Sequence, residues 1–593
     1  MPNSQSIFRL LIRLWKHTSS RRRRQFILLL GLSVICSFAE IISLGAVFPF
    51  IGVLTEPERI FNSPYMVGVV QMLGVTSAAD LILPLAIAFA IAALLAGSLR
   101  LLLLWVSVKL GNAIGTDFSI DVYLRTLYQP YSIHIAHSSS EIISGITQKV
   151  KSATGMLTAM MGLVTSAMMF ASIMATLFTF EPLIAVIATF GFGSAYIIIA
   201  WIIRHKMVHN GQIIAREQTH VVKALQEGLG AIRDVLLDGV QTVYCNIYRK
   251  SAIQLLKAEV ENVFMCGAPR FAMEAFGMVL IAVFALVLSH RPDGIKASLP
   301  IMGMMALGAQ RLLPLMQQLY ATWGAVAGSK ATLIDVLALL DQPLPLEASL
   351  PEPLPLIMKD AISFDNVHFH YGSKGPWVLE GINLVIPKGA KIGIIGNTGC
   401  GKSTLLDLLM GLLEPTQGKI LVDGKPISKE LQRAWQRTIA HVPQTIYLAD
   451  TNIASNIAFG VPPDQIDLER VRKAAGQARI AEFIESRSNG YNANVGERGV
   501  SLSGGQRQRI GIARALYKQA KVLIFDEATS ALDNETEQAV MQAIEGLSED
   551  LTIIIIAHRL STLKNCDTIV QLEYGKMGAR YTYDQLMNMD TNN

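Results

Sequence analysis

The chain has 593 residues, of which 51% are hydrophobic and only 16% are charged, and its mean hydropathy is +0.39. An average soluble domain has about 25% charged residues, so this composition excludes an ordinary soluble protein and favours a membrane protein. The net charge of +5 is small for this length and gives no indication of a nucleic-acid partner. Five cysteines lack metal-ligand spacing, and we interpret them as reduced thiols: Cys36, Cys245, Cys266, Cys400 and Cys566.

The first 54 residues predict a helix on the membrane surface followed by a membrane span. Apolar residues recur at helical spacing from Ile7 to Leu14 with basic residues between them, which is typical of an amphipathic helix on the cytoplasmic face. After the basic run Arg21–Arg24, the apolar stretch 26–54 is longer than the roughly 7–15-residue core of a secretory signal. We therefore expect this stretch to remain as the first span.

Six stretches reach the roughly 20 apolar residues that a helix needs to cross a bilayer. They lie at about 26–54, 81–108, 156–179, 182–203, 271–289 and 299–326. The long stretches that follow the second and fourth spans are rich in Lys and Arg, which stay on the cytoplasmic side. Both termini and these stretches are thus predicted to be cytoplasmic. The stretches resemble helices that continue out of the membrane, for example over Ala215–Gly228.

The pattern of the chain changes after residue 340. The proline-rich stretch Gln342–Pro355 predicts a linker. Short β-rich runs then alternate with helical segments, which is the pattern of a parallel α/β sheet. We therefore predict a transmembrane domain over 1–340, a linker over 341–358 and an α/β domain over 359–593. The β-rich runs include Ile392–Ile395, Val522–Phe525 and Thr552–Ile556.

Residues Gly396–Ser403 match the phosphate-binding pattern G-x-x-x-x-G-K-[ST]. The motif follows an apolar strand and opens a helix predicted over Thr404–Leu413, which is the context that the pattern requires. The backbone N–H groups of the loop and the N terminus of the helix favour bound phosphate. We expect Lys402 to reach the β- and γ-phosphates of ATP and Ser403 to ligate Mg²⁺. The loop residues expected to contact ATP are Asn397, Thr398, Gly399, Cys400, Gly401, Lys402, Ser403 and Thr404.

Two adjacent acids end the buried strand that begins at Val522. Asp526, at the carboxyl end of the strand, can hold Mg²⁺ directly or through water. Glu527 follows it and is placed to act as the general base that polarises the attacking water. Beside a phosphate loop, these acids predict ATP hydrolysis.

The segment Leu502–Gln506, with the sequence LSGGQ, resembles the signature motif of the ATP-binding-cassette (ABC) family, and other motifs of that family occur in the same order. The resemblance implies that Tyr371 stacks on adenine. It also implies that Gln444 is a catalytic residue that senses and ligates Mg²⁺ and contacts the membrane domain. It further implies that His558 contacts the γ-phosphate and that Asp533 belongs to the D-loop.

Gly496–Gly499 resembles the short coupling loop of exporter-type cassettes. The resemblance implies a multi-pass α-helical membrane domain with six transmembrane helices, followed by an α/β P-loop cassette. It also implies that two cassettes enclose two ATP molecules, each between the phosphate loop of one chain and the signature of the other. The signature residues are Ser503, Gly504, Gly505 and Gln506. Because Glu527 and His558 are both present, both sites of a homodimer would be competent, in a translocase of the inner (cytoplasmic) membrane that uses ATP and Mg²⁺.

Charged residues within the predicted spans indicate what is transported. Such residues are costly in a bilayer and usually functional, although they can also form structural salt bridges or extend to the interface. Three arginines against two acids favour a basic cavity, and guanidinium groups suit phosphate or pyrophosphate oxygens. These residues are Glu40, Arg100, Arg270, Glu274 and Arg311.

The same region is similar to bacterial flippases of lipid-linked oligosaccharides. The similarity rests on Ser37–Glu40, Pro49–Ile51, Ala268–Arg270, Glu274 and Arg311–Pro314. It implies that the three arginines bind the pyrophosphate of a polyprenyl-linked glycan. Two alternatives remain: an exporter of lipid A, hydrophobic drugs or peptides, and an ATP-gated channel or regulator on the same scaffold. The intact Glu527 favours turnover over gating.

Overall fold

The computed structural model of the protein describes residues 6–55, 58, 61, 77–180, 182–289, 294–372, 375–528, 532–545, 550–557 and 559–590. The chain divides into two compact units. The helical unit comprises Met1–Gln129 and His134–Leu344, and the α/β unit comprises Pro130–Ile133 and Pro345–Asn593. The predicted linker over 341–358 overlaps the change from one unit to the other.

The described residues before residue 345 form helices and the turns between them. Two of these helices, α4 and α8, have 46 and 49 residues. At 1.5 Å per residue each is about 70 Å long, which is more than twice the roughly 30 Å of bilayer hydrocarbon. The helices are α1 (Ile7–His17), α2 (Ser20–Gly45), α3 (Val47–Thr55), α4 (Ile82–Leu127), α5 (Tyr131–Ala136), α6 (Ser139–Ser144), α7 (Val150–Phe180), α8 (Pro182–Gly230), α9 (Ile232–Leu237), α10 (Gln241–Gly267), α11 (Pro269–Ser289), α12 (Gly294–Gly328) and α13 (Lys330–Leu340).

Within the described residues, three helical segments are long and apolar enough to cross a membrane. They are Ser20–Ser43, Ile82–Leu127 and Ser139–Ala175. The pair Leu312–Gly328 and Lys330–Leu340, which is bent by 59°, adds a fourth if it counts as one span. All six predicted spans fall on helices, but the count of six stays a prediction.

The first predicted span is not one continuous helix. α2 ends at Gly45 and α3 begins at Val47, so the helix is interrupted at Ala46 within the stretch 26–54, although Ala46 N–H still donates to the carbonyl of Ile42 at 2.9 Å. Pro49 has no backbone N–H and cannot donate to the carbonyl of Gly45, which lies one turn before it. The continuous apolar sequence therefore predicted the span but not the interruption between α2 and α3.

The N-terminal helix α1 has the amphipathic character that its sequence predicts. Leu10 and Leu14 are buried, whereas Phe8 is 72% exposed. Arg13 forms an ion pair with Asp341, which follows α13, and His17 Nε2 lies at hydrogen-bond distance, 2.8 Å, from Asp341 Oδ1. These contacts attach α1 to the end of the last helix of the unit.

The α/β unit contains two sheets. The smaller is antiparallel, with the strand order β2-β1-β4-β5. The larger has the order β10-β9-β3-β8-β7-β6, and its strand pairs are parallel except for β10 with β9. The strands are β1 (Ala361–Phe369), β2 (Leu379–Pro387), β3 (Lys391–Ile395), β4 (Gln417–Val422), β5 (Lys425–Pro426), β6 (Ile439–Val442), β7 (Val522–Asp526), β8 (Thr552–Ile556), β9 (Thr568–Glu573) and β10 (Lys576–Tyr581).

The three predicted β-rich runs form the adjacent strands β3, β8 and β7, and this prediction is confirmed. Every residue of β8 is buried, as expected for a parallel strand covered on both faces. The helices of this unit are α14 (Lys402–Leu409), α15 (Lys429–Thr438), α16 (Ile453–Ile457), α17 (Leu468–Gln477), α18 (Ala481–Glu485), α19 (Gly504–Lys518), α20 (Asn534–Glu545) and α21 (Tyr583–Asp590).

The helix predicted over Thr404–Leu413 is shorter than expected. It is α14, which begins at Lys402 and ends at Leu409. Gly411 has a φ of +65°, a left-handed conformation that commonly ends helices and that glycine adopts without steric cost. The apolar residues Leu412 and Leu413 continue the periodic pattern beyond this point, which is why the sequence predicted a longer helix.

Candidate ATP site

The phosphate loop connects β3 to α14. Gly396 has a φ of +155°, and a Cβ atom placed there would lie 2.3 Å from the backbone oxygen of Leu572. The loop therefore passes too close to β9 for any side chain at this position. Lys402 is 8% exposed, and its Nζ donates to the backbone oxygens of Gly396 at 2.6 Å and Asn397 at 3.1 Å. The ammonium group is thus held inside the loop, where a phosphate can replace these two acceptors.

Tyr371, the predicted adenine contact, follows strand β1. Its hydroxyl shares a hydrogen bond of 3.1 Å with Thr404 Oγ1, on the first turn of α14. Its ring packs edge-on against Phe369, with 4.9 Å between the centroids. Tyr371 is 43% exposed, so part of its surface remains open to a planar ligand next to the phosphate loop.

The order of the strands brings the acidic residues to the same edge of the sheet as the loop. Only β8 separates β3 from β7, and these strands are parallel, so their carboxyl ends share one edge. In open α/β sheets, ligands bind at that edge. Asp526 ends β7, and Glu527 follows in a left-handed conformation with a φ of +52°.

Gln444, which follows β6, contacts the predicted general base directly. Its Nε2 donates to Glu527 Oε2 at 2.6 Å, and the backbone N–H of Glu527 donates to the carbonyl of Ile556 at 3.0 Å. These two bonds fix both the side chain and the backbone of Glu527. The nitrogen of Gln444 makes the hydrogen bond to Glu527, so its side-chain oxygen can act as a metal ligand at the same time.

The acids create a site that favours a cation. Burial raises the pKa of Asp526, the neighbouring charge of Glu527 raises it further, and Lys402 opposes both effects. A divalent cation would relieve the repulsion between the two carboxylates. The oxygen atoms of Ser403, Asp526 and Gln444 are the hard ligands that Mg²⁺ prefers, so these residues fit the ion.

Asp407, on α14, is a residue of this region that the sequence analysis missed. Burial and the charge of Asp526 raise its pKa to about 6. Asp407 is the one acid of α14 and lies in sequence between the buried leucines Leu406 and Leu408. A lone acid in such an apolar run is the signal that could have drawn attention to it.

The signature residues begin helix α19. Ser503 is its N-cap: the hydroxyl accepts from the backbone N–H of Gln506 at 3.2 Å, and Gln506 Oε1 accepts from the backbone N–H of Ser503 at 2.8 Å. This reciprocal arrangement is a capping box. Gly504 and Gly505 form the first turn, so their backbone N–H groups lie at the positive end of the helix.

The D-loop residue Asp533 caps helix α20, since its carboxylate accepts from the backbone N–H of Thr536 at 3.0 Å. That hydrogen bond lowers the pKa of Asp533. His558 lies outside the described residues, and its contact with the γ-phosphate stays a prediction.

Four of the five charged residues of the predicted spans form ion pairs. Arg100, on α4, lies 3.3 Å from Glu40 of α2, measured from Nη1 to Oε1, and Glu40 is buried. Arg270 and Glu274 form an ion pair of 2.7 Å within α11. The side chain of Arg311 lies outside the description. A buried carboxylate needs a partner, so the arginine charge that the sequence assigned to a ligand is partly neutralised within the protein.

Arg100 also lines a cavity of about 860 Å³ between α4, α7 and α12. The described lining includes Lys151, Asn112 and Gln318 but not Arg270. Arg100 and Arg270 therefore do not line this pocket together, and substrate binding by the predicted arginines stays a prediction.

The comparison with known proteins gives the class of this domain. Residues 379–530 match the family model of the ABC transporter. This range contains the phosphate loop, the signature and the two acids. The chain therefore carries an ABC transporter domain with the ATP-binding architecture of that family.

The relatives and a solved structure extend the comparison. The ATP-dependent lipid A-core flippase of Cupriavidus pinatubonensis is 42% identical over 230 residues, which are 39% of each chain. The leukotoxin translocation ATP-binding protein LktB of Mannheimia haemolytica is 41% identical over 283 residues, 47% of this chain and 39% of the relative. The match thus spans about two fifths to one half of the length of the curated relatives.

The structure of a bacterial Atm1-family ABC exporter with ATP bound has a TM-score of 0.79 and 25% identity, and the match covers 96% of both chains. The resemblance of the whole chain to an exporter-type half-transporter is therefore confirmed. The fold is that of an ABC exporter, in which a helical membrane-type region precedes the ATP-binding domain.

Proposed function

We propose that the protein is an ATPase that drives transport across the bacterial inner membrane. The observation that carries this proposal is the convergence, at one edge of the larger sheet, of the phosphate loop, Asp526 and the hydrogen-bonded pair Gln444–Glu527. A binding site alone would not need a fixed carboxylate beside the phosphates. The exporter-type fold supports the coupling of this chemistry to transport.

Each residue of the site has a part in the reaction. Lys402 and the loop N–H groups bind the phosphates, and Tyr371 contacts adenine. Glu527, oriented by Gln444, accepts a proton from the water whose oxygen attacks the γ-phosphorus, and ADP leaves with the electron pair of the broken P–O bond. Mg²⁺, held by Ser403, Asp526 and Gln444, would offset the phosphate charge.

A second copy of the chain would complete the site. Ser503 is exposed and its side chain is oriented by the capping box, so α19 presents ordered donors on a surface. The helix N terminus favours a phosphate, and in the proposed homodimer this phosphate belongs to ATP bound on the partner's loop. Glu527 is present in both copies, so both sites would turn over.

For the cargo, we infer a lipid-linked oligosaccharide with a pyrophosphate, or a related glycolipid. Arg100 lines a cavity, and Arg270 is 60% exposed in spite of its ion pair. An arginine can exchange a carboxylate partner for a pyrophosphate, which offers the same fork of oxygens. A lipid A-type glycolipid is the second candidate, because curated relatives are lipid A-core flippases.

Reconstituted vesicles can distinguish the two cargoes. We expect an undecaprenyl-pyrophosphate glycan to stimulate ATP hydrolysis and to be flipped, and the double variant Arg270→Ala/Arg311→Ala to lose flipping while it still binds ATP. The control is Arg249→Ala, which removes an exposed cation of α10. Stimulation by lipid A but not by the pyrophosphate glycan would favour the second candidate, and unchanged flipping by the double variant would remove the role of these arginines.

A further inference from the structure

A second cavity of the helical unit, of about 1620 Å³, lies along α8 and α12. Its described lining contains aromatic and basic residues but no carboxylate. We call it the aromatic–basic groove and define it by Tyr196, Arg204, His205, Tyr320, Trp323 and Lys330.

The aromatic residues of the groove are held by ring contacts and hydrogen bonds. The Tyr196 and Tyr320 ring centroids are 5.3 Å apart, and those of Tyr320 and Trp323 are 6.0 Å apart. The hydroxyl of Tyr196 donates to Gln317 Oε1 at 3.1 Å, and that of Tyr320 donates to the carbonyl of Met265 at 3.0 Å. Tyr196 and Tyr320 are only 6% and 5% exposed, so they form the buried wall behind the groove. The apolar surface of the groove is that of the half-buried Trp323 and of Trp201, which also lines it and is 79% exposed.

The basic part lies at one end. Arg204 is exposed and makes no ion pair with the described residues, whereas Lys206, two residues further along α8, is paired with Glu261 at 3.2 Å. Lys206 is not part of the described lining. Of these two cations of α8, Arg204 therefore lines the groove, whereas the charge of Lys206 is neutralised by Glu261.

The groove changes from apolar to basic along the axis of α8. Tyr196 and Arg204 are eight residues apart, which corresponds to about 12 Å of helix. Arg204 follows the predicted span 182–203 on its basic side, which is the cytoplasmic side, and Trp201 lies at the boundary, where tryptophan is common. An apolar segment of this length that ends in three basic residues matches a lipid with an anionic headgroup.

We propose that the aromatic–basic groove binds a lipid of the cytoplasmic leaflet that carries a phosphate or pyrophosphate headgroup. Arg204, His205 and Lys330 contact the headgroup, and Trp201 and Trp323 contact the hydrocarbon chain. For the transported lipid, this inference rests on the proposed function and specifies where that lipid binds. The same headgroup chemistry would also admit an anionic phospholipid of the bilayer.

The test measures which lipids quench Trp323. The full chain is placed in nanodiscs of phosphatidylcholine that contain either brominated phosphatidylglycerol or brominated phosphatidylcholine, and the signal of Trp323→Phe is subtracted from that of the wild type. We expect phosphatidylglycerol to quench this component at a mole fraction at least about fivefold lower than phosphatidylcholine does, because one cation near an anionic surface alone accounts for about that factor. Arg204→Gln should lower this preference about fivefold, whereas the matched control Lys206→Gln should keep it.

A competition arm distinguishes the sources of the lipid. Relief of quenching by undecaprenyl pyrophosphate at a lower mole fraction than by unlabelled phosphatidylglycerol would support a transported pyrophosphate lipid, and equal relief would support a general phosphate lipid. Equal quenching by both brominated lipids, or an unchanged preference in Arg204→Gln, would overturn the proposal. Basal ATP hydrolysis in the same nanodiscs is measured separately. Failure of the ATPase proposal can therefore be distinguished from failure of the proposal that the groove binds lipid.

Discussion

The fully buried side chain of Asn456 predicts a large effect of a small substitution. Its Oδ1 accepts from the backbone N–H of Ala449 at 3.0 Å, and its Nδ2 donates to the carbonyl of Ala449 at 3.0 Å and to Thr451 Oγ1 at 3.1 Å. Arg514, on the helix that begins with the signature, donates to the carbonyls of Asn456 at 2.9 Å and Tyr447 at 3.1 Å. Asn456 thus joins the segment after Gln444 to helix α19.

Asn456→Ala removes these side-chain bonds and leaves both backbone groups of Ala449 without their partner. Each buried polar group without a partner costs about 1–3 kcal/mol. Because Ala449 is only half-buried, water can replace part of the loss, and we expect a decrease in stability of ~3 kcal/mol. For a domain of this size, ~1 kcal/mol corresponds to about 2–4 °C, so the melting temperature should fall by about 6–12 °C.

Thermal unfolding of the full chain in detergent, followed by intrinsic fluorescence, measures this shift. The matched control is Asn489→Ala, because Asn489 is exposed and its side chain makes no hydrogen bond with the described residues. The control should stay within about 1 °C of the wild type, since most surface substitutions change stability little. A melting temperature of Asn456→Ala as high as that of the control would refute the reasoning.

Three further predictions concern the ATP-binding domain. Glu527→Gln should lower ATP hydrolysis by at least about 100-fold while ATP binding persists, because the variant loses the proton acceptor; wild-type turnover would require another base. Gly396→Ala should prevent binding of a fluorescent ATP analogue, because its Cβ would collide with the carbonyl of Leu572. Burial disfavours the charge of Asp423, but backbone N–H groups of 359–361 outweigh this and lower its pKa. Because the pKa of Asp423 is lower in the folded than in the unfolded chain, its carboxylate stabilises the fold at pH values above the unfolded pKa of about 4. The melting temperature of Asp423→Asn should therefore lie below that of the wild type at neutral pH, and the difference should shrink as the pH falls below about 4.

The parts of the ATP site that are continuous in sequence were predictable. The phosphate loop needs a strand before it and a helix after it, and the residues around Gly396–Ser403 carry both patterns. Asp526 and Glu527 were predictable because an apolar run ends at a carboxylate. The hydrogen bond between Gln444 and Glu527 joins residues 83 positions apart, and only the parallel order β6-β7 brings them together.

The helical unit was less predictable, since hydropathy marks where helices lie but not which side chains meet. The ion pair of Arg100 with Glu40 depends on the contact of α4 with α2, and the sequence favoured a shared basic cavity instead. The aromatic–basic groove was also missed. Tyr196 and Trp323 are ordinary residues of apolar segments in the sequence, and only the packing of α8 with α12 places them in one cavity with Arg204.

The central claim is that each ATP is enclosed by the loop of one chain and the signature of another, and mixed dimers test it most directly. One chain carries Lys402→Ala, its partner carries Ser503→Arg, both carry Glu527→Gln to prevent hydrolysis, and the mixed dimer is isolated with two affinity tags. The account predicts one occluded ATP per mixed dimer and none in either parent homodimer, because only the mixed dimer retains an intact loop facing an intact signature. Mixed dimers that occlude no more ATP than the parents would contradict it.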